Sequence, residues 1–331
     1  MLRRQAVRWR HEFTIREPFM VTADSRQAAR FRSIFRKVHA AHPACLSDEW
    51  LTEPCRLENG TLLGRPIVWS RRNGPWRRVS VLWVGAAPGN AGGMGTGDLG
   101  AHGTRIPFGG DVAGANMDVL LGSVGLDRNQ TFILAALNQL PEAGGGEPRT
   151  AELAQPVGEY PDSIRLLRDS ILAAGPALVV ALGNVALRSV VAAGQRNEED
   201  RALRLPGLAR LRKAGLERAV PAVWPDREAP DASFLRAWQA AWNAPLPRLL
   251  WLLHPSAQNM SPYAGQGTAF HSRMVETRDA LRRGVHDVVG TPLPVTRPPP
   301  PLTGIYALPE WRDRIGPRHA ELDALWREKG I

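Results

Sequence analysis

Four short stretches of the chain are apolar without interruption, and each stops at glycine, asparagine or histidine: RVSVLWVG (78–85), TFILAALN (131–138), PALVVALG (176–183) and PRLLWLLH (247–254). A strand with one wetted face alternates polar and apolar residues. These runs do not, which is the pattern of strands buried on both faces. Between and after them lie segments of helical length and spacing: AGANMDVLLGSVG (113–125), YPDSIRLLRDSILAAG (160–175), NVALRSVVAAG (184–194), DASFLRAWQAAWNA (231–244) and TAFHSRMVETRDALRRGV (268–285). Strands alternating with helices in this way predict an α/β fold, a central four-stranded parallel sheet flanked by helices in three layers.

The pattern also divides the chain. Residues 1–75 form a basic N-terminal extension expected to pack on the core. Its helix candidate, SRQAARFRSIFRKVHAAHP (25–43), places Ala29, Phe31, Ile34, Phe35 and Val38 on one stripe, with Ser25 as cap and Pro43 as stop. The α/β domain is assigned to 76–288. It is interrupted at about 195–230 by a segment of mixed charge broken by prolines, which reads as an insertion. Residues 289–331 comprise a proline-rich linker, TPLPVTRPPPPLTG, and a tail expected to form one or two short amphipathic helices that fold back on the body.

Composition adds a partner class. The formal net charge of the 331 residues is +10, carried almost entirely by arginine. Arginine-rich surfaces attract and grip phosphates, so a polyanion is one reading; an arginine-rich proteome is the other. Two cysteines, Cys45 and Cys55, are too few for a disulfide scaffold and suit a reducing cytoplasm. The basic start lacks the apolar segment of a signal peptide, and no apolar run approaches the roughly 20 residues of a membrane helix. A soluble cytoplasmic protein without membrane contact, working as a monomer, is expected.

In open α/β sheets ligands bind beyond the carboxyl ends of the strands. The residues there are Gly85, Ala86, Ala87, Pro88, Gly89 and Asn90 after the first run, Asn138 after the second, Gly183 and Asn184 after the third, and His254, Pro255 and Ser256 after the fourth. The glycine-rich stretch GNAGGMGTGDLG (89–100) could be a phosphate cradle, but neither a dinucleotide-binding fingerprint nor a P-loop sequence is present where one would be required.

The ordered series VLWVGAAPGN, RIPFGGDVAGANMDVLL, FILAALNQLP, ALVVALGNVAL and LLHPSAQN resembles the uracil-DNA glycosylase superfamily, over about 200 residues from 77 to 285. GAAPG and RIPFGGDVAG look most like the broad-specificity thermophile-type branch, family 5. LNQLP and HPSAQN are closer to the single-strand-selective monofunctional glycosylases. The resemblance implies an enzyme that extrudes a deaminated base from single- or double-stranded DNA into a pocket and hydrolyses its N-glycosidic bond, in base excision repair.

It also implies roles. Phe108 would stack on the flipped base, and Asn138 would read the uracil edge by donating to O4 and accepting from N3. His254 would donate to O2 as charge develops there. Gly85, Ala86, Ala87, Gly89 and Asn90 would line the base and sugar, and Ser256 would meet a phosphate. Gln258, Met260 or Tyr263 would be the wedge that fills the vacated stack. Ala87 stands where other branches carry an acid or amide for the water, and Gly92 and Gly93 stand where iron-sulfur branches keep acids. The water needs another handler: Asp111, in FGGD, resembles the aspartate that the family 5 pattern places after its glycine-rich loop and would activate water or offset the sugar cation, a helix cap being its alternative role; Asn90, Asp98 and His102 are further candidates. Cys55 matches one cluster-ligand position, but Gln139 falls where a later ligand would be, so no iron-sulfur cluster, other metal or organic cofactor is expected. No Schiff-base lysine arrangement is apparent, which implies a glycosylase without lyase activity. The departures at 87, 92 and 93 leave open a catalytically degenerate DNA-binding homologue.

Overall fold

A computed structural model describes residues 55–56, 62–63, 81–86, 108–128, 131–136, 139–140, 163–194, 222–224, 248–289, 293, 296–300, 302–309 and 311–331. The four apolar runs supply the strands β3 (Val81–Gly85), β4 (Phe132–Ala135), β6 (Leu178–Leu182) and β8 (Arg248–Leu252). They pair in parallel in the order β4-β3-β6-β8. Leu82, Trp83, Val84 and all of Leu178–Leu182 are buried, as continuous apolar strands covered on both faces must be. The α/β fold with a four-stranded parallel sheet and flanking helices expected from the sequence is the observed one.

The sheet has one more strand. β7 (Ala222–Trp224), within the stretch read as an insertion, runs antiparallel along β8 and forms the edge. A second, small antiparallel sheet joins β1 (Cys55–Arg56), β2 (Leu62–Leu63) and β5 (Gln139–Leu140). The helix candidates at 25–43 and 231–244 lie outside the described residues.

Helix α1 (Val112–Ser123) connects β3 to β4, α2 (Ser163–Ala174) precedes β6, α3 (Gly183–Gly194) leaves β6 directly, and α4 (Ala269–Val289) follows β8. No helix among the described residues is long and apolar enough to cross a membrane. Helix α1 is buried along nearly its whole length and has no wet face, because it is covered twice. Met117, Val119, Leu120 and Leu121 join the core with Trp83, while the C-terminal helix α5 (Gly316–Glu328) packs on it and adds Trp326 to the same cluster. One 3-10 turn (Gly304–Ala307) and one π turn (Trp311–Ile315) lead into α5. Arg297 fixes this return, pairing with Asp323 at 2.6 Å and donating to the Ile331 carbonyl at 2.9 Å.

Candidate active site

At the carboxyl end of β3, Gly85 faces the ring of Phe108: a β-carbon at 85 would stand 3.1 Å from Cζ and 3.3 Å from Cε2. Phe108 itself has φ of +52°, rare for a residue with a side chain. Its carbonyl explains why that conformation persists. The buried guanidinium of Arg128 donates to it at 2.9 Å, and Gly114 brings helix α1 so close that a β-carbon there would collide with the same oxygen. The geometry requires glycine at position 114.

His254, leaving β8, reaches the same place. Its ring centroid lies 5.9 Å from that of Phe108 at a tilt of 38°. Gly183, at the end of β6 with φ of +85°, makes room, since a β-carbon there would be 3.2 Å from that of His254. The turn after His254 is stapled from within. Asn259 donates to the His254 carbonyl at 3.0 Å and to Ser256 Oγ at 3.3 Å, and the amides of Asn259 and Met260 both donate to the Ser256 carbonyl.

It is also stapled from behind by Asn116, a fully buried amide on helix α1. Its Nδ2 donates to the carbonyls of Pro255 (2.8 Å) and Met260 (2.7 Å), and its Oδ1 accepts the indole N–H of Trp326 at 2.6 Å. The Phe108 loop has a matching support. Asp118 accepts from Arg128 Nε at 2.6 Å and from His319 Nδ1 at 2.5 Å, and His319 Nε2 accepts the Gly110 amide at 3.3 Å. An imidazole nitrogen that accepts carries no proton, so this network assigns the proton of His319 to Nδ1. Burial pushes the Asp118 carboxyl up, but the attraction of Arg128 and the hydrogen bond from His319 outweigh it and hold the group below the usual carboxylate range.

Asp111 caps helix α1. Its backbone is extended, and its Oδ1 accepts the Gly114 amide at 2.7 Å. Capping uses one of the several acceptor positions a carboxylate offers, so it is compatible with a further role. Met260, named above as a wedge candidate, is fully buried in the core cluster and cannot insert into a duplex; that expectation is corrected. Tyr263 and Gln258 are exposed. The site therefore brings together Gly85, Phe108 and His254, with Ser256 in the turn after His254 and Asp111 capping helix α1. Ala86 is placed at the end of β3. Ala87, Gly89, Asn90, Asp98, His102 and Asn138 lie outside the described residues. No cluster of three or more potential metal ligands occurs among the described residues.

Asn116, Asp118, Arg128, Asn259, His319 and Trp326 were not singled out from the sequence. A signal for the first two existed: Asn and Asp stand inside an otherwise apolar helix, where a buried polar group must find partners.

A mostly parallel α/β sheet with an aromatic ring and an imidazole meeting at its strand ends places the protein among the open-sheet α/β proteins, whose ligands bind at those ends. The family follows from comparison: a model of the uracil DNA glycosylase superfamily matches residues 73–277, more than half of the chain, and the protein belongs to that superfamily. Among curated proteins, none matches the chain significantly. Membership supports a DNA glycosylase, a hydrolase that acts on DNA in repair.

Proposed function

We propose that the protein is a monofunctional glycosylase that removes uracil, with other deaminated bases as further substrates, from DNA. The observation that carries this reading is the approach of Phe108 and His254 at the strand ends, inside the segment matched to the superfamily. A base cannot be cut out while stacked, so it must be extruded, and an aromatic ring is what an extruded base stacks on, at roughly 1–3 kcal/mol per base. In the reaction the C1′–N1 bond breaks with its electron pair going to the base, and water adds to C1′ and gives up a proton. His254 donates to O2 of the departing anion. Asp111 takes the proton of water or offsets the positive charge on the sugar. Asn138 reads the uracil edge, while Gly85, Ala86, Ala87, Gly89 and Asn90 line the base and sugar and Ser256 meets a phosphate.

GAAPG and RIPFGGDVAG favour a place near the broad-specificity branch of the superfamily, and LNQLP and HPSAQN one near the single-strand-selective branch. We assign the working form as a cytoplasmic monomer. The second reading, a DNA-binding homologue without glycosylase activity, rests on Ala87, Gly92 and Gly93, which stand where other branches carry acids or an amide, and on the absent cluster cysteines. Incubation with oligonucleotides carrying uracil, hypoxanthine, xanthine or thymine, single- and double-stranded, followed by alkali, decides between them. Strand breaks at uracil are expected; salt-sensitive binding with no breaks would establish the second reading instead.

A further inference from the structure

We infer that the C-terminal tail is a positioning element of the base pocket: Trp326, through Asn116, and His319, through the Gly110 amide and Asp118, hold the two loops that carry His254 and Phe108. That these loops form a base pocket rests on the function proposed above; that the tail holds them rests on the hydrogen bonds alone. Both side chains lie well beyond residue 277, where the superfamily match ends, in the tail that follows the matched segment.

The Trp326 link sets a direction as well as a distance. An asparagine amide can be turned end for end, and only one orientation points its two N–H groups at the carbonyls of Pro255 and Met260. The other would bring its oxygen against theirs. An indole N–H can donate but not accept, so its 2.6 Å bond to Asn116 Oδ1 selects the orientation that grips the His254 turn. Trp326 and Asn116 are both fully buried, which leaves water no place in the exchange.

The His319 link closes a ring around the other loop. Arg128 holds the Phe108 carbonyl, His319 accepts the Gly110 amide, and Asp118 accepts an N–H from each of them, so the turn 108–110 is gripped at each end by one connected network. Trp311, also in the tail, presents its ring to both: the Arg128 guanidinium lies 5.0 Å from its centroid and the His319 ring meets it edge-on at 5.2 Å. The tail groups bond to the supports of the two loops, Asn116, Asp118 and the Gly110 amide. They act through Asn116, Arg128 and the Gly110 amide, and are positioning residues.

The test compares wild type with Trp326→Phe, which keeps a ring but loses the N–H, and His319→Phe, which keeps the edge contact with Trp311 but loses both hydrogen bonds. Glu321→Gln on the exposed face of α5 is the control. Amide hydrogen exchange is followed at 109–114 and 256–260 and in the strands, alongside kcat and KM for uracil release. Trp326→Phe should speed exchange in 256–260 at least tenfold, and His319→Phe in 109–114, with strand protection unchanged; kcat should fall about tenfold or more while KM changes little, and the control should match wild type. Loop exchange and kcat at wild-type values in both folded variants would overturn the inference. If wild type releases no uracil, the proposed function fails and the exchange result alone decides. Should either variant lose its fold, wild-type exchange under rising urea replaces it: tail and loop amides must open together, and a tail that opens first with both loops still protected would refute the link.

Discussion

Gly85 and the ring of Phe108 are in direct contact, and the contact leaves space for a hydrogen on the α-carbon but not for a methyl group. Gly85→Ala therefore forces the ring to give by a few tenths of an ångström, which displaces the surface on which a base would stack. The expected result is an unchanged fold with uracil release slowed about tenfold, equivalent to about 1.4 kcal/mol. Single-turnover kinetics beside a urea titration would check it, and an unaltered rate would remove the Phe108 ring from substrate contact.

Asp111 can be separated into its two roles by choice of substitution. Asparagine caps a helix as well as aspartate does, whereas alanine costs about 1 kcal/mol at such a position. Asp111→Asn should keep wild-type stability and lose uracil release by about 100-fold or more, the scale of general-base assistance. Asp111→Ala should lose both. If Asp111→Asn turns over normally, the residue is a cap and the water is handled elsewhere.

Removing the Asn116 side chain strands three buried partners at once: the Pro255 and Met260 carbonyls and the Trp326 indole N–H. An orphaned buried group costs about 1–3 kcal/mol, and the three share one cavity, so the losses do not simply add. Asn116→Ala should lower unfolding free energy by about 3 kcal/mol in urea denaturation. A loss below about 1 kcal/mol would mean the network contributes little.

The depressed Asp118 carboxyl ties stability to pH in a definite direction. A group whose folded pKa lies below its unfolded value binds protons more readily when unfolded, so its contribution is fully present above the unfolded carboxylate pKa of about 4 and drains away as pH falls through the folded value. Urea midpoints measured from pH 6 downward should decline on the acid side, and Asp118→Asn should flatten that decline. An equally steep acid limb in the variant would place the pH dependence on other carboxylates.

The four parallel strands were legible because burial on both faces leaves an unmistakable mark, an apolar run with no alternation. β7 left no such mark: it is three residues long and sits between charged and proline-bearing segments, and it becomes a strand only because β8 offers it an edge. Phe108 and His254 could be read from their motifs, and they meet. Met260 could not be placed by its motif, since a methionine in a polar loop reads as exposed until the core cluster behind it is known. Periodicity tells which side of a helix is covered and is silent on what covers it. The tail's hold on α1 was hidden for that reason: the Asn116 to Trp326 bond spans 210 residues, and no local pattern encodes a partner that far away.

That span has a consequence for biosynthesis. At about 5–20 residues per second, Trp326 leaves the ribosome roughly 10–40 s after Asn116. Throughout that interval helix α1 carries an amide whose oxygen still awaits its indole, and its outer flank is bare. The pocket is thus finished last, and a chaperone that shields the exposed side of α1 during elongation would be guarding the seat reserved for α5.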